Sequence, residues 1–249
     1  MIRDRDPDPP DRRGLETGEF SDAVIERMAR DQYERGDAGF ALNPGRTALL
    51  LIDMQEEFVT EQGGPYRVPA AASRIPAMAR LLRWFRQGRL PIIHTAFAAT
   101  HHLLDRPRCG ARMPNRARGA GFDLSRLFQV ARFVPELRPL ETEPVIHKPS
   151  YGAFFDTPLE TILKRLEVDT VVLAGVLTDC CVGTTARQAY ERGFGAVVAS
   201  DATATTLPEM HRAELGILRR SFARVLEVET ILAELGSGRA NSPSTSRVS

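Results

Sequence analysis

The sequence predicts an α/β fold of three layers, a doubly wound, parallel, six-stranded sheet between helices. Three observations predict it. Six short apolar runs recur between about residues 45 and 235, each continuous rather than alternating, as strands covered on both faces require. Helical patterns with their own start signals separate the runs, so each strand leads through a right-handed crossover to the next. The length of 249 residues suits one α/β domain with a sizeable core and leaves little room for a second.

The opening MIRDRDPDPPDRRG is charged, rich in proline and nearly empty of large apolar side chains, so it reads as disordered. From Ser21, SDAVIERMARDQYERG offers a capping serine, an acidic first turn, Ile25, Met28 and Ala29 on one face, and Gly36 as a stop. Residues 1–44 are therefore an N-terminal extension with one short amphipathic helix, packed on its own domain or serving as an arm on a neighbouring subunit. The main domain, 45–236, holds the strands TALLLID, LPIIHTAF, EPVIHK, TVVLAGV, GAVVAS and ARVLEV. Thr157-Pro158-Leu159-Glu160 has the form of a capping box with proline in the first turn, and Thr206-Leu207-Pro208-Glu209 repeats it. Residues 98–135 form a long connection with little regular pattern, as a lid or binding element would. Residues 237–249, within GSGRANSPSTSRVS, read as a flexible tail.

A formal net charge of +1 without a lysine and arginine run argues against nucleic acid as partner and favours a small molecule. Three cysteines, at 109, 180 and 181, are too few for a disulfide framework, and the charged start lacks the apolar core of a signal peptide. No apolar run approaches the roughly 20 residues of a membrane helix. The expectation is a reduced, cytoplasmic protein with no membrane partner.

In open parallel sheets ligands sit beyond the carboxyl ends of the strands, where strand order reverses. Asp53 ends the first strand, Lys148 ends the third, and Cys181 follows the fourth in LAGVLTDCCVGTTARQAYERGF. Each type has a plain alternative: a turn aspartate, a solvated lysine, a cysteine packed as a small hydrophobe. Together they make a chemical set. A thiol attacks as thiolate, its free pKa is about 8.5, and a helix N-terminus or a nearby cation lowers it. Cys181 stands where CVGTTARQAYERG begins its helix, Lys148 adds a positive charge, and Asp53 can take the thiol proton and pass it to a leaving nitrogen.

The blocks TALLLIDMQEEF, HKPSYGAFFDTPLE and GVLTDCCVGTTARQAYERGFGAVVASDA resemble the signature blocks of the isochorismatase-like cysteine hydrolases. That family includes N-carbamoylsarcosine amidases, ureidoacrylate and biuret hydrolases, and nicotinamidases. The resemblance spans roughly residues 44–236 and implies a parallel six-stranded sheet with an Asp–Lys–Cys triad. The family pattern Thr-Asp-any-Cys-Val places the nucleophile at Cys181 and leaves Cys180 at the variable position. Asp53 becomes the base and Lys148 the cation. The resemblance also implies a cis peptide at Val176–Leu177 and an oxyanion hole formed by the N–H groups of Leu177 and Cys181.

Two departures bear on the substrate. Metal-dependent nicotinamidases carry an Asp-any-His motif after the second strand; here the chain reads HTAFAATHHLLDRP, and His101, His102 and Asp105 only imitate a metal site. The expectation is no metal and no cofactor. DATATTLPEMH lacks the early arginine associated with carboxylate-binding carbamoylsarcosine amidases, whereas the long connection carries Arg106, Arg108, Arg112, Arg116 and Arg118. These arginines are either a solvated face or a clamp for a small carboxylate. The resulting expectation is a metal-free cysteine amidohydrolase of a small linear amide, carbamoyl or ureido compound, with an ureido or carbamoyl acid preferred, acting as a homo-oligomer, a tetramer or dimer. The alternatives are an isochorismatase-type vinyl ether hydrolase and a non-catalytic binding or scaffold member.

Overall fold

A computed structural model describes residues 20–36, 38–98, 104–114 and 130–240. The opening 1–19, the residues 241–249, His101, His102, Arg116 and Arg118 lie outside the described residues. The six expected strands are present: β1 (Thr47–Ile52), β2 (Ile92–Phe97), β3 (Val145–Lys148), β4 (Thr170–Val176), β5 (Gly195–Ala204) and β6 (Arg224–Leu226). They form one sheet in the order β3-β2-β1-β4-β5-β6, with every neighbouring pair parallel. Strand order therefore reverses between β1 and β4, the crevice in which ligands of such sheets bind.

Alternate residues of β1 go to opposite faces, which explains its unbroken apolar run. Leu49 and Leu51 join Met78, Leu81 and Phe85 of α3 (Ala71–Gln87) and Ile231 and Leu235 of α7 (Val228–Ala240). Leu50 and Ile52 join Leu159 and Leu163 of α4 (Leu159–Arg165), Ala186 and Ala189 of α5 (Gly183–Glu191) and Leu218 of α6 (Pro208–Ser221). Each fully buried aliphatic side chain contributes about 1.5–3 kcal/mol. A short α2 (Glu56–Val59) follows β1.

The crossover signals are met in part. Thr157 accepts from the Leu159 N–H at 3.3 Å, but Glu160 turns outward to Lys164 and Arg192 instead of closing the box. Pro208 stands in the first turn of α6, with no side-chain cap from Leu207 before it. α7 continues through Gly236 and Gly238 to Ala240, past the expected start of the tail.

The N-terminal helix α1 (Asp22–Arg35) forms as expected and lies against α6, where Arg219 donates to the Glu34 carbonyl and Arg220 to the Tyr33 hydroxyl. Of the anticipated stripe, Ala29 is half-buried while Ile25 and Met28 are each 50% exposed. The helix thus rests on its own domain through polar contacts and leaves its apolar edge outward.

The connection before β3 is tied down by charge. Glu143 accepts from Arg86 of α3 at 2.7 and 2.8 Å, faces His94 Nε2 of β2 at 2.9 Å, and accepts from the Leu140 N–H at 3.0 Å. Burial disfavours the Glu143 carboxylate, yet Arg86, Leu140 and His94 outweigh it and hold its pKa at about 2. His94 is pushed below its ordinary value by burial and is neutral at pH 7. Upstream, residues 132–134 run beside the chain that leaves β1, through Glu56 N–H to the Arg132 carbonyl and Val134 N–H to the Met54 carbonyl.

Candidate active site

The chain leaves β1 at Asp53 with a left-handed φ of 52°, a conformation that aspartate tolerates better than most residues. Ile52, the last residue of β1, is the register partner of Gly175 in β4. Gly175 has φ +122°, and a Cβ there would overlap the Ile52 backbone, so glycine is required for this close approach. The two central strands consequently release Asp53 and the Leu177–Val182 segment side by side.

β4 ends at a cis peptide between Val176 and Leu177, as the resemblance implied. The chain then winds through one π-helical turn, Thr178–Val182, before α5 begins at Gly183. The expected simple helix start at Cys181 is thus displaced, and Cys181 lies inside the wider turn, a feature common at functional sites. The turn is pinned on several sides. Leu177 accepts from the N–H groups of Cys180 and Val182, Thr185 donates to the Cys181 carbonyl at 2.6 Å, and Thr178 meets His211 Nδ1 at 2.9 Å. Asp179 accepts from Thr205 beyond β5.

The third strand brings Lys148 to the same place, and the structure unites all three expected residues. Lys148 Nζ lies 2.7 Å from Asp53 Oδ2, 3.4 Å from Cys181 Sγ and 3.0 Å from the Ser150 carbonyl. The ammonium thus forms an ion pair with the carboxylate and donates to the sulfur and to the Ser150 carbonyl. Asp53 and Lys148 are fully buried and Cys181 is 3% exposed. Cys180 is half-buried at the edge of the core, packed as a neighbour.

The electrostatics differ from expectation in one respect. The sequence predicts a thiol lowered by the helix start and Lys148. Burial instead pushes Cys181 well above its ordinary value; Lys148 pulls it down, and Asp53 raises it again through its charge and as hydrogen-bond acceptor. Burial also opposes the charge on Lys148, but Asp53 and Cys181 outweigh it and hold the ammonium above its ordinary value. The resting site is a carboxylate, an ammonium and a neutral thiol.

Sequence reasoning missed the residues that support this set. Thr95 of β2 donates to Asp53 Oδ1 at 2.6 Å while its hydroxyl accepts from the Asp53 N–H at 3.2 Å. Gln55 clamps Phe97, accepting from its N–H at 2.7 Å and donating to its carbonyl at 3.3 Å. Phe97 stacks on Tyr151, with ring centroids 6.3 Å apart. A threonine inside an apolar strand was the available signal for Thr95; Gln55 and Phe97 carried none. Of the expected arginines, Arg106 is half-buried with its guanidinium over the Phe97 ring, whereas Arg108 and Arg112 are exposed on a short turn. Among the described residues no group of three or more His, Cys, Asp or Glu side chains is close enough to hold a metal.

An isochorismatase domain model matches residues 47–230, which takes in all six strands and the three converging residues. The chain belongs to the isochorismatase family. It is accordingly a hydrolase of that family. It is 30% identical over 204 residues to the uncharacterized isochorismatase family protein YecD of Escherichia coli, an alignment covering 78% of this chain and 98% of that protein. It is 28% identical over 211 residues to the ureidoacrylate amidohydrolase RutB of Methylobacterium radiotolerans, covering 79% of this chain and 82% of that protein. The crystal structure of a cysteine hydrolase from Pseudomonas syringae pv. phaseolicola superposes with a TM-score of 0.72 at 23% identity, over 82% of this chain and 99% of that one, and shares the fold. No helix among the described residues of this isochorismatase-family chain is long and apolar enough to cross a membrane.

Proposed function

We propose that this isochorismatase-family hydrolase is a cysteine amidohydrolase that cleaves a C–N bond in a small linear amide, carbamoyl or ureido compound. One observation carries the reading: Lys148 Nζ stands 2.7 Å from the Asp53 carboxylate and 3.4 Å from the Cys181 sulfur, with all three buried. Asp53 takes the thiol proton as the sulfur attacks the carbonyl carbon. The C–S bond forms, and the carbonyl electron pair moves onto oxygen, where the N–H groups of Leu177 and Cys181 receive it. One such donor is worth about 2.7–4 kcal/mol of transition-state stabilisation. Protonated Asp53 then gives its proton to the leaving nitrogen, the C–N bond breaks and ammonia departs. Water, deprotonated by Asp53, opens the thioester and restores the thiol. Lys148 stays charged throughout and holds the Asp53 side chain beside the sulfur.

Similarity to the ureidoacrylate amidohydrolase RutB supports the carbon–nitrogen bond as target. The deciding experiment is a screen of purified protein for ammonia release from amide, carbamoyl and ureido compounds, run beside a pyruvate assay with isochorismate. Ammonia release that requires Cys181 supports the reading; pyruvate release alone overturns it in favour of vinyl ether hydrolysis, and no turnover in either assay favours a binding role. For assembly, the reading is a homo-oligomer of two or four copies, supported by the outward Ile25 and Met28 edge of α1 and by Phe20, 59% exposed beside it. The protein is read as acting in the cytoplasm.

A further inference from the structure

Arg106 breaks the pattern set by the other anchored guanidinium groups. Arg86 is paired with Glu143, Arg187 with Glu214 and Arg224 with Glu234. Arg106 Nε and Nη2 are buried with no hydrogen-bond partner among the described residues. Buried donors left unmet lose their hydration without replacement, so a folded protein seldom keeps two on one side chain without use. Burial pushes the guanidinium below its ordinary value and Tyr66, Asp105 and Tyr151 draw it back, so it remains a cation.

Its position ties it to the reacting groups. The Arg106 guanidinium carbon lies 4.3 Å from the centroid of the Phe97 ring, and Lys148 Nζ lies 5.0 Å from the same centroid. Arg106 and the ammonium that touches Cys181 therefore share one aromatic ring. Tyr151 is stacked on Phe97 and half exposed; burial raises its hydroxyl above the ordinary value, Cys180 and Cys181 add to the rise and Arg106 opposes it. Nε and Nη2 form the side edge of a guanidinium, two parallel donors matched to the two oxygens of a carboxylate.

We propose that Arg106 binds a carboxylate on the substrate, so that the carbonyl presented to Cys181 belongs to a small carbamoyl or ureido acid whose linker lies along Phe97 and Tyr151. The inference rests on the amidohydrolase reading above. Among the expected arginines that are described it selects one: the fork at Arg106 reads the acid, while Arg108 and Arg112 face solvent.

Binding tests it apart from turnover. Calorimetric titration of the full chain carrying Cys181→Ser compares N-carbamoylglycine with its neutral analogue N-carbamoylglycinamide, with and without Arg106→Gln. The acid should bind at least about tenfold more tightly than the amide, Arg106→Gln should erase that preference while leaving amide binding unchanged, and Arg106→Lys should restore part of it. Equal binding of acid and amide, equal weakening of both by Arg106→Gln, or binding of neither probe would overturn the proposal. Ammonia release by the protein with native Cys181 separates the two readings. Discriminating binding without any ammonia keeps the carboxylate subsite and removes the amidohydrolase; ammonia release without discrimination does the reverse.

Discussion

Thr95 donates its hydroxyl to Asp53 Oδ1 at 2.6 Å, and the same hydroxyl accepts the Asp53 N–H at 3.2 Å, so one side chain fixes both ends of the proposed base. With Oδ1 held by Thr95 and Oδ2 facing Lys148, the carboxylate has one orientation. Replacing Thr95 by valine keeps the shape and removes both bonds. The expected result is a loss of about 1–3 kcal/mol of stability, measured by denaturant unfolding, and a fall in kcat larger than any change in KM. Wild-type kcat in the valine variant would remove Thr95 from the positioning of Asp53.

Cys181→Ser should lower turnover at least about a thousandfold with the fold retained in circular dichroism, while Cys180→Ser keeps most activity. The basis is contact: Cys181 meets Lys148, whereas Cys180 packs at the core edge. An exchange of the two phenotypes would shift the proposed nucleophile by one residue.

Alkylation reports the thiol. Because burial raises the Cys181 pKa, its reaction with iodoacetamide should keep accelerating as pH rises through 8 to 10, instead of levelling off near 7 as a low-pKa thiolate would. Lys148→Ala should slow it further at neutral pH, since the one group that lowers the pKa is gone. The same variant strands Asp53 as an unpaired buried charge, at about 3–5 kcal/mol. Pairing it with Asp53→Asn should recover part of that loss in a double-mutant cycle.

Acid should act through Glu143. Its folded pKa of about 2 lies below the ordinary 4.5, so its contribution is full above pH 4.5 and disappears as pH falls from 4.5 towards 2. His94, with a lowered folded pKa, adds a loss that begins below its ordinary 6.5. Glu143→Gln should therefore lower Tm by a few degrees at pH 7, and the gap to wild type should close towards pH 2. A gap that stayed constant across this range would show that the carboxylate charge contributes nothing.

Light scattering on the full chain and on a chain lacking residues 1–40 tests assembly. A dimer or tetramer that falls apart on deletion is expected from the outward Ile25 and Met28 of α1. A full-length monomer would end the assembly proposal, and an intact oligomer after deletion would move the contact elsewhere.

The sheet was legible because strands covered on both faces are apolar throughout, and β1 is buried at all six positions. The converging residues were legible because each ends or follows a strand, where parallel sheets place ligands. What escaped was whatever depends on depth and register. Whether burial or Lys148 governs the Cys181 thiol is set by three-dimensional desolvation, which no local pattern encodes. Thr95 meets Asp53 because β1 and β2 pair Ile52 with Thr95, a register that sequence periodicity leaves open. The α1 helix was legible from its capping serine and spacing, but its polar contacts to α6 through Tyr33 and the Glu34 carbonyl were not, since they depend on how distant segments meet.

The strand order β3-β2-β1-β4-β5-β6 divides the site as well as the sheet. Asp53, Thr95 and Lys148 all come from the half built by β1, β2 and β3, which are consecutive in the chain and adjacent in space. The proposed nucleophile, Cys181, belongs to the other half, joined to the first within the sheet along the β1–β4 seam. Cys181 follows both charged residues in the chain, so a fragment that ends before β4 holds the Asp53–Lys148 pair without the thiol. A gene cut between Arg165 and Thr170, the link from α4 to β4, would yield two silent fragments whose recovered activity counts how often the seam closes.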